Sequence, residues 1–283
     1  MFVPGNNLHM IEKASRLEAD SVVLDCEDSV PPKEKVKSRD VVAKGLTECD
    51  WKMEVGVRIN GLDTELWLDD LAVAVSNHAQ FILVPKIEQP YEVRAVEEAI
   101  RYSARKSGRK ELPQIFVIIE NAKGLTAVES ILQASELVGA VEFGSEDYRL
   151  SLGLYGRTSE LGVLYARSRV VAAASIVSID SLDQAFVNLK DLDGLRASAI
   201  QARQLGYTGK AVIHPSQIPI VNEAFSPSES DAEWARKVLE GWKVAEREGK
   251  GAFRVDDTMV DVVHVKMAEK ILESTKKFKP QDA

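Results

Sequence analysis

The sequence has very few cysteines and no long apolar segment. Only two of its 283 residues are cysteine, Cys26 and Cys49, and their spacing fits neither a disulfide framework nor a thiolate metal site. The longest uncharged, largely apolar run, Val170 to Ile179, is too short to span a bilayer. The N-terminus lacks the basic segment and apolar stretch of a secretory signal. We therefore expect a cytoplasmic protein that does not interact with membranes.

Positive charge is scarce as well. Lys and Arg total 36 residues against 44 Asp and Glu, which gives a net charge of −8, and no basic cluster stands out. A nucleic-acid partner is not expected, because proteins that bind nucleic acids normally carry a basic face. With 45% apolar and 28% charged residues, the chain can bury a large hydrophobic core. This composition is typical of a globular protein.

Short β-branched runs alternate with helical periods along most of the chain. Their mean spacing of about 30 residues is that of one βα unit. Eight strands, each followed by a helix, predict an α/β fold of the (β/α)8 TIM-barrel type. An open doubly wound sheet would normally carry a glycine-rich phosphate-binding motif after its first strand, and none is present there. The predicted strands are 2–4, 21–24, 55–59, 81–84, 115–119, 140–143, 177–179 and 211–213.

The C-terminal part of the chain predicts a separate helical segment. Ser230 and Glu233 have the spacing of a capping box, so we expect a helix to begin at about Asp231. A last helix is expected from about Thr258 to Lys276. The apolar faces of these helices must pack on their own barrel or on a neighbouring subunit. The predicted domains are a catalytic barrel, 1–225, and a C-terminal helical lid extension that reaches a neighbouring subunit, 226–283.

Polar side chains stand at the predicted carboxyl ends of nearly all the strands. In a TIM barrel these ends and the loops after them form one rim, where the chemistry takes place. So many carboxylates on one rim repel one another unless a cation is present. The residues, in order from the second strand to the eighth, are Asp25, Glu27 and Asp28, Arg58 and Asn60, Lys86, Glu120 and Asn121, Glu146 and Asp147, Asp180, and His214.

Oxygen ligands without paired His or Cys favour a hard ion, Mg²⁺ or Mn²⁺. Glu120 and Asp147 are the preferred pair, because each ends an inner strand, at Val-Ile-Ile-Glu and at Phe-Gly-Ser-Glu-Asp. Two carboxylates leave several octahedral positions for water and a chelating substrate. The alternative is that both residues only cap loops or form salt bridges.

Three other rim residues each have a structural and a functional interpretation. Arg58 is either part of an ion pair or a clamp for a carboxylate or thioester oxygen. Lys86 either binds charge or forms a Schiff base in a pocket that lowers its pKa. His214 is either a ligand contact or a buried structural histidine. The sequence alone leaves these alternatives open.

Several motifs in the same order resemble the citrate lyase β-subunit-like (aldolase/citrate lyase) family of Mg²⁺-dependent carbon–carbon lyases. The resemblance extends over essentially the whole chain and is greatest to the citramalyl-CoA and malyl-CoA lyases of that family. The motifs are Phe-Val-Pro-Gly-Asn at 2–6, Leu-Asp-Cys-Glu-Asp at 24–28, Val-Arg-Ile-Asn at 57–60, Val-Pro-Lys at 84–86, Phe-Gly-Ser-Glu-Asp at 143–147, Val-Ile-His-Pro-Ser at 212–216 and Met-Val-Asp at 259–261.

The resemblance implies a role for particular residues. Glu120 and Asp147 would hold the metal, and Arg58 would contact the substrate. Glu27 and Asp28 would lie behind the metal ligands and orient water on the ion. The resemblance also implies the residues that contact substrate or CoA, which are Phe2, Lys13, Arg58, Ile213 and His214.

Asp261 matches the aspartate that family members offer from a C-terminal segment to the active site of an adjacent subunit. The resemblance therefore implies a homotrimer, or a multiple of one, in which the C-terminal extension completes a neighbour's pocket. Asp261 would protonate the acetyl-CoA enolate during cleavage and remove the methyl proton during condensation. The alternative is a first-turn carboxylate that stabilises its helix.

The leading hypothesis is reversible cleavage of a 3-hydroxyacyl-CoA, such as citramalyl-CoA or malyl-CoA, into acetyl-CoA and pyruvate or glyoxylate. One alternative keeps the family but changes the carrier, as in a citrate lyase β subunit that cleaves a citryl group on acyl carrier protein. Others are a malyl-CoA thioesterase and a metal-independent aldolase that uses Lys86. A CoA-binding subunit without chemistry is disfavoured by the presence of Glu120, Asp147 and Asp261 together.

Overall fold

A computed structural model describes residues 1–154 and 161–277. The chain divides into two compact units, Met1–Val221 and Asn222–Ala283. The sequence-based boundary after residue 225 lies four residues beyond this division, at the end of the helix Ile218–Phe225. Residues 278–283 of the predicted C-terminal extension lie outside the described part of the chain.

The first unit contains a parallel sheet of eight strands in sequence order, each hydrogen-bonded to the next. The backbone N–H of Phe2 donates to the carbonyl of Val212 at 2.9 Å, so the segment after the last strand meets the first. The predicted TIM-barrel fold is confirmed. The strands are β1 Phe2–Pro4, β2 Ser21–Asp25, β3 Glu54–Arg58, β4 Phe81–Val84, β5 Gln114–Ile119, β6 Val138–Phe143, β7 Asp180–Asp183 and β8 Gly209–Lys210.

Helices connect the strands, and their ends follow local sequence signals. In the helix Pro90–Ser107, for example, Gln89 and Glu92 form a capping box and Gly108 ends the helix at a φ of 75°. Within residues 1–154 and 161–277, no helix has the length and apolar character needed to cross a bilayer. The helices are α1 Leu8–Ala14, α2 Lys35–Glu48, α3 Trp67–Ser76, α4 Pro90–Ser107, α5 Ala122–Thr126, α6 Val128–Leu132, α7 Ser145–Ser151, α8 Leu161–Val177, α9 Leu192–Leu205 and α10 Ile218–Phe225.

The strands alternate between two faces, and one face fills the barrel interior with an apolar cluster. Phe81 and Phe116 stack there with ring centroids 4.2 Å apart. Gly56 is required beside them, because a Cβ at this position would lie 2.3 Å from the Phe81 ring. The polar residues Asp25 and Arg58 follow two positions later on the same faces of β2 and β3. The apolar cluster consists of Val23, Phe81, Leu83, Phe116, Ile118 and Ala140, with Phe2 packed against it.

The seventh strand differs from its prediction. The apolar residues 177–179 end α8 instead of forming a strand, since Ser178 has a φ of 57° and the N–H of Ile179 donates to Ala174. Strand β7 is Asp180–Asp183, so Asp180 begins the strand and does not stand on the catalytic rim. Its polar sequence hid it from a search for apolar runs.

The second unit contains two long helices and a β-hairpin, α11 Glu229–Arg247, β9 Ala252–Val255, β10 Thr258–Asp261 and α12 Val262–Lys277. The capping box of α11 pairs Ser228 with Asp231, not Ser230 with Glu233 as predicted. The hairpin was not predicted, and the last helix begins at Val262 instead of Thr258. Buried side chains from all four elements form one core, which consists of Ala235, Val238, Val255, Val260, Val265 and Ala268.

Candidate active site

A cavity of about 420 Å³ opens at the carboxyl ends of the barrel strands. TIM barrels carry their chemistry at this end. A larger depression of about 930 Å³ includes Glu48 and Met53 and therefore lies at the opposite end of the strands, beside the start of β3. The residues that line the catalytic-end cavity include Phe2, Asp25, Asp28, Arg58, Ile118, Glu120, Glu142, Glu146, Asp147 and Ile213.

Glu120 and Asp147, the predicted metal ligands, both line this cavity. Glu120 directly follows β5 and is only 5% exposed. Its Oε1 accepts the backbone N–H of Lys86 at 2.7 Å, and Lys86 has a left-handed φ of 57°. Burial and the charges of Asp147 and Glu27 raise the pKa of Glu120 to about 8. This carboxylate is therefore costly to ionise without a cation.

Gly144 keeps the start of α7 close to Glu120. A Cβ on Gly144 would lie 2.6 Å from the Cβ of Glu120 and 2.7 Å from its Oε2. Real Cβ atoms do not approach other atoms so closely, and the Cβ of Glu120 is fixed by its own backbone. A glycine is therefore needed between β6 and the turn of helix that carries Asp147.

The residues fit a magnesium ion that retains open coordination positions. No group of three or more His, Cys, Asp or Glu side chains forms a closed metal cage within the described parts of the chain. A pair of carboxylates is nevertheless a usual protein contribution to Mg²⁺, since this ion keeps several waters and binds chelating substrates. The raised pKa of Glu120 next to Asp147 indicates the negative charge that such an ion would neutralise.

Arg58 is fixed by a bidentate ion pair with Asp25. Its Nε and Nη2 each donate to one oxygen of Asp25 at 2.6 Å, and its Nη1 lies 3.2 Å from Glu27 and 3.4 Å from Asp28. The guanidinium also lies 5.0 Å from the ring centroid of Phe2. Although burial opposes both charges, the pair lowers the pKa of Asp25 and raises that of Arg58. Arg58 is thus a permanent cation in the cavity wall.

Lys86 is held as an ammonium by Glu27. Its Nζ donates to Oε1 of Glu27 at 2.7 Å. Partial burial alone lowers the pKa of Lys86, but the hydrogen bond to Glu27 and the charges of Glu27, Asp28 and Glu120 raise it above its usual value. A Schiff-base lysine needs the opposite shift. The Schiff-base alternative is therefore disfavoured by the structure.

The loops after β2 and β3 are tied together behind these residues. Lys35 Nζ donates to Oδ1 of Asn60 at 2.5 Å and to the carbonyl of Glu27 at 2.9 Å. Asn60 Nδ2 in turn donates to Asp70 at 2.6 Å and to the carbonyl of Cys26 at 3.0 Å. This network fixes the backbone that presents Glu27.

The predicted CoA-contacting residues are only partly brought together. Phe2 and Ile213 line the cavity. Lys13 lies on the exposed face of α1 and does not line it. His214 is also exposed, and its Nδ1 accepts the N–H of Ser216 at 3.2 Å, which caps a short 3-10 turn at Pro215–Gln217. His214 is therefore not the buried histidine that one interpretation of the sequence allowed.

Asp261 belongs to the second unit and caps the N-terminus of α12. Its Oδ1 lies 2.7 Å from Nδ1 of His264 and accepts the backbone N–H groups of Val263 at 3.0 Å and His264 at 3.4 Å. These hydrogen bonds lower the pKa of Asp261, and the one with the His264 side chain has the largest effect. Its Oδ2 accepts no hydrogen bond from the described residues, and the side chain is 49% exposed. One oxygen is thus fixed while the other is open.

Sequence reasoning missed Glu142, which lines the same cavity. Glu142 lies on β6 and is 7% exposed. The sequence contains a signal for it, because an acidic residue two positions after Ala140 occupies the interior face of an otherwise apolar strand. Glu142 lies within its strand and not at the strand end, so the pattern of polar residues at strand ends does not identify it.

Comparisons with known proteins agree over the length of the chain. A family model described as HpcH/HpaI aldolase/citrate lyase matches residues 1–215, and one described as a C–C bond lyase of the TIM-barrel fold matches residues 162–279. Mitochondrial citramalyl-CoA lyase of Mus musculus is 34% identical over 96% of this chain and 84% of its own length.

Two further relatives, both from Cereibacter sphaeroides, are a (3S)-malyl-CoA thioesterase and an L-malyl-CoA/beta-methylmalyl-CoA lyase. Each is 33% identical over 96% of this chain and 92% of its own length. Among solved structures, CitE from Mycobacterium tuberculosis in complex with magnesium, acetoacetate and coenzyme A has a TM-score of 0.80 and 27% identity. The match covers 97% of this chain and 96% of that chain.

Proposed function

Because the chain belongs to the HpcH/HpaI aldolase/citrate lyase family, we propose that it cleaves a 3-hydroxyacyl-CoA reversibly into acetyl-CoA and a 2-oxo acid. Three sequence-based predictions are confirmed: the family, the carbon–carbon lyase class and Mg²⁺ as the cofactor. The observation that carries the proposal is the buried Glu120 and the half-buried Asp147 beside the fixed cation Arg58 in one small cavity. The proposed substrates are citramalyl-CoA and malyl-CoA, with pyruvate or glyoxylate as the oxo acid.

Glu120 and Asp147 would hold the metal, which can be Mg²⁺ or Mn²⁺. When bound, the ion supplies the Lewis acidity that polarises the carbonyl of the oxo acid. The backbone N–H of Lys86 keeps Glu120 in place for this purpose. Gly144 provides the space that lets the loop with Asp147 pass close to Glu120.

Arg58 would offset the negative charge that develops on substrate oxygens as the carbon–carbon bond breaks. A fixed donor stabilises such charge without reorganisation during the reaction. Asp25 keeps the guanidinium in one orientation through two hydrogen bonds of 2.6 Å. Glu27 stands behind it and links Arg58 to Lys86, whereas Asp28 is exposed and lines the cavity 3.4 Å from Arg58. These carboxylates would orient the cations and the water around the substrate.

Asp261 would be the general acid and base, acting in the cavity of a neighbouring subunit. It would give a proton to the enolate carbon of acetyl-CoA in cleavage and take one from the methyl group in condensation. Its half-exposed side chain with an open Oδ2 supports this role. Exposed apolar residues surround it and could pack on a partner, namely Met259, Val262, Val263 and Met267.

The oligomer proposed with this role is a homotrimer or a multiple of one. In it the C-terminal extension, 226–283, is the lid of a neighbour's catalytic barrel, 1–225. Lys13, Ile213 and His214 are proposed to bind the CoA part of the substrate, and Phe2 to contact the substrate or its CoA part. A cytoplasmic location is part of the same proposal. Analytical ultracentrifugation tests the oligomeric state. Mixing an Asp261 variant with a Glu120 variant tests whether one subunit contributes its aspartate to the site of another, because activity should then be restored.

Thioester hydrolysis is a second candidate, because one of the relatives is a (3S)-malyl-CoA thioesterase. Cleavage of citryl-acyl carrier protein is the remaining alternative within the family. A panel of malyl-, citramalyl- and citryl-CoA, assayed with and without Mg²⁺, separates these reactions. The proposal predicts acetyl-CoA and a 2-oxo acid in equal amounts, and only with metal. Free CoA without acetyl-CoA would support the thioesterase, and inactivity towards every CoA thioester would contradict the proposal.

A further inference from the structure

Glu142 is a buried carboxyl group in the cavity wall to which the proposed reaction gives no role. It is 7% exposed and lines the cavity together with Glu120 and Arg58. It makes no hydrogen bond or ion pair with any residue in the described parts of the chain. Its carboxyl oxygens are not among the fully enclosed, unpaired atoms of the described residues, so they face the open cavity, where a ligand or its water can pair with them.

The other buried carboxylates of the barrel interior do have partners. Asp25 binds Arg58, and Glu27 binds Lys86 at 2.7 Å. Asp183 accepts from Arg167 at 2.9 Å and from Lys210 at 2.6 Å. These side-chain cations thus already have closer acidic partners, whereas the buried N-terminal ammonium of Met1, which donates to the carbonyl of Ser21 at 2.7 Å, has Glu142 as its largest favourable charge interaction. Glu142 is therefore not needed to neutralise any of these side chains.

The position of Glu142 on its strand also argues against a packing role. On β6, Ala140 belongs to the apolar interior cluster, and Glu142 follows it on the same face. An aliphatic residue at this position would extend the cluster without the cost of desolvating a carboxyl group. The chain instead places a charge-bearing side chain directly against the space that the substrate would occupy.

We propose that Glu142 is a specificity-determining residue that rejects substrates whose 2-oxo acid fragment carries a second carboxylate. The inference rests on the proposed function and deepens it. It assigns the enzyme to thioesters that release a monocarboxylic oxo acid, such as pyruvate or glyoxylate. Citryl thioesters, which release a dicarboxylic oxo acid, would be poor substrates.

The size of the cavity determines how strongly Glu142 should weaken the binding of a second carboxylate. A volume of about 420 Å³ brings any bound oxo acid near Glu142. Two carboxylates about 6 Å apart, at an effective dielectric constant of about 20, disfavour binding by roughly 10- to 100-fold. Burial raises the pKa of Glu142 to about 7 against the opposing charge of Arg58, so the side chain is mostly ionised at pH 8.

The test compares kcat/KM for citryl-CoA and for the better of citramalyl-CoA and malyl-CoA at pH 8. In Glu142→Gln, which keeps the size and removes the charge, we expect the ratio in favour of citryl-CoA to rise at least tenfold. Glu142→Val should also raise this ratio, and it serves as a second test if Glu142→Gln does not fold. The control Glu146→Gln removes an exposed carboxylate from the same cavity and should change the ratio less than threefold.

Calorimetric binding of oxaloacetate and pyruvate in the presence of Mg²⁺ gives a readout that does not depend on turnover. Glu142→Gln should strengthen oxaloacetate binding relative to pyruvate by the same factor. A ratio that stays within threefold of wild type in both Glu142 variants overturns the inference. A wild-type enzyme that cleaves none of the thioesters overturns the proposed function instead, so the two failures are distinguishable.

Discussion

Glu120→Gln should stabilise the metal-free protein while abolishing its function. Glu120 is 5% exposed, and burial together with the charges of Asp147 and Glu27 raises its pKa to about 8 from the ordinary value of 4.5. Between these two values the folded state keeps the proton that the unfolded state loses. The free energy of unfolding of the metal-free enzyme therefore falls as the pH rises from 4.5 to about 8, and the loss then levels off.

The pH dependence gives the expected magnitude. The destabilisation by Glu120 is roughly 2 kcal/mol at pH 6 and roughly 4 kcal/mol at pH 8, at 1.36 kcal/mol per pKa unit. Glutamine removes this penalty and can still accept the N–H of Lys86 through its carbonyl oxygen. The stability advantage of Glu120→Gln over wild type in EDTA should therefore grow by roughly 2 kcal/mol between pH 6 and pH 8.

Urea unfolding of both proteins at several pH values measures this advantage directly. Mg²⁺ provides an internal control, because it should stabilise wild type at pH 8 and have little effect on Glu120→Gln. The reasoning is refuted if the difference in unfolding free energy between the two proteins changes by less than about 0.5 kcal/mol across this pH range.

Three further predictions concern other parts of the site. Asp261→Asn should lower kcat by about 10²- to 10⁴-fold while calorimetric Mg²⁺ and pyruvate binding persists, and activity within tenfold of wild type would contradict the acid–base role. Gly144→Ala should weaken Mg²⁺ binding at least tenfold, because its Cβ would collide with Glu120, whereas the control Gly251→Ala meets open space; equal affinities would show that the close contact is unimportant. Borohydride with pyruvate should leave a labelled adduct on neither wild type nor a Lys86→Arg variant, since Lys86 is held as an ammonium; a Lys86-dependent adduct would reinstate the Schiff-base mechanism.

The rim residues could be predicted because strand ends in a parallel barrel converge. Arg58, Glu120 and Asp147 stand at or just after the ends of apolar strands, and the structure brings all three to one cavity. Asp180 failed the same reasoning, because its strand is polar and the apolar residues before it end a helix. Hydrophobic pattern thus locates a site only where the strand itself is apolar.

The remaining differences have identifiable physical causes. Glu142 lies within a strand, and its burial depends on the closure of the barrel around it. The hairpin β9–β10 has short strands, and its turn places Asp256 at a left-handed φ of 50°, where Gly or Asn is the usual signal. Asp261 was found only through resemblance, since nothing in local spacing distinguishes a catalytic aspartate from an ordinary N-cap.

A crystal structure of the protein soaked with Mg²⁺ and pyruvate is the most direct test of the central claim. We predict one magnesium ion coordinated by carboxylate oxygens of Glu120 and Asp147, with pyruvate chelating the ion and facing Arg58. An ion bound elsewhere, or pyruvate bound far from these two carboxylates, would contradict the account.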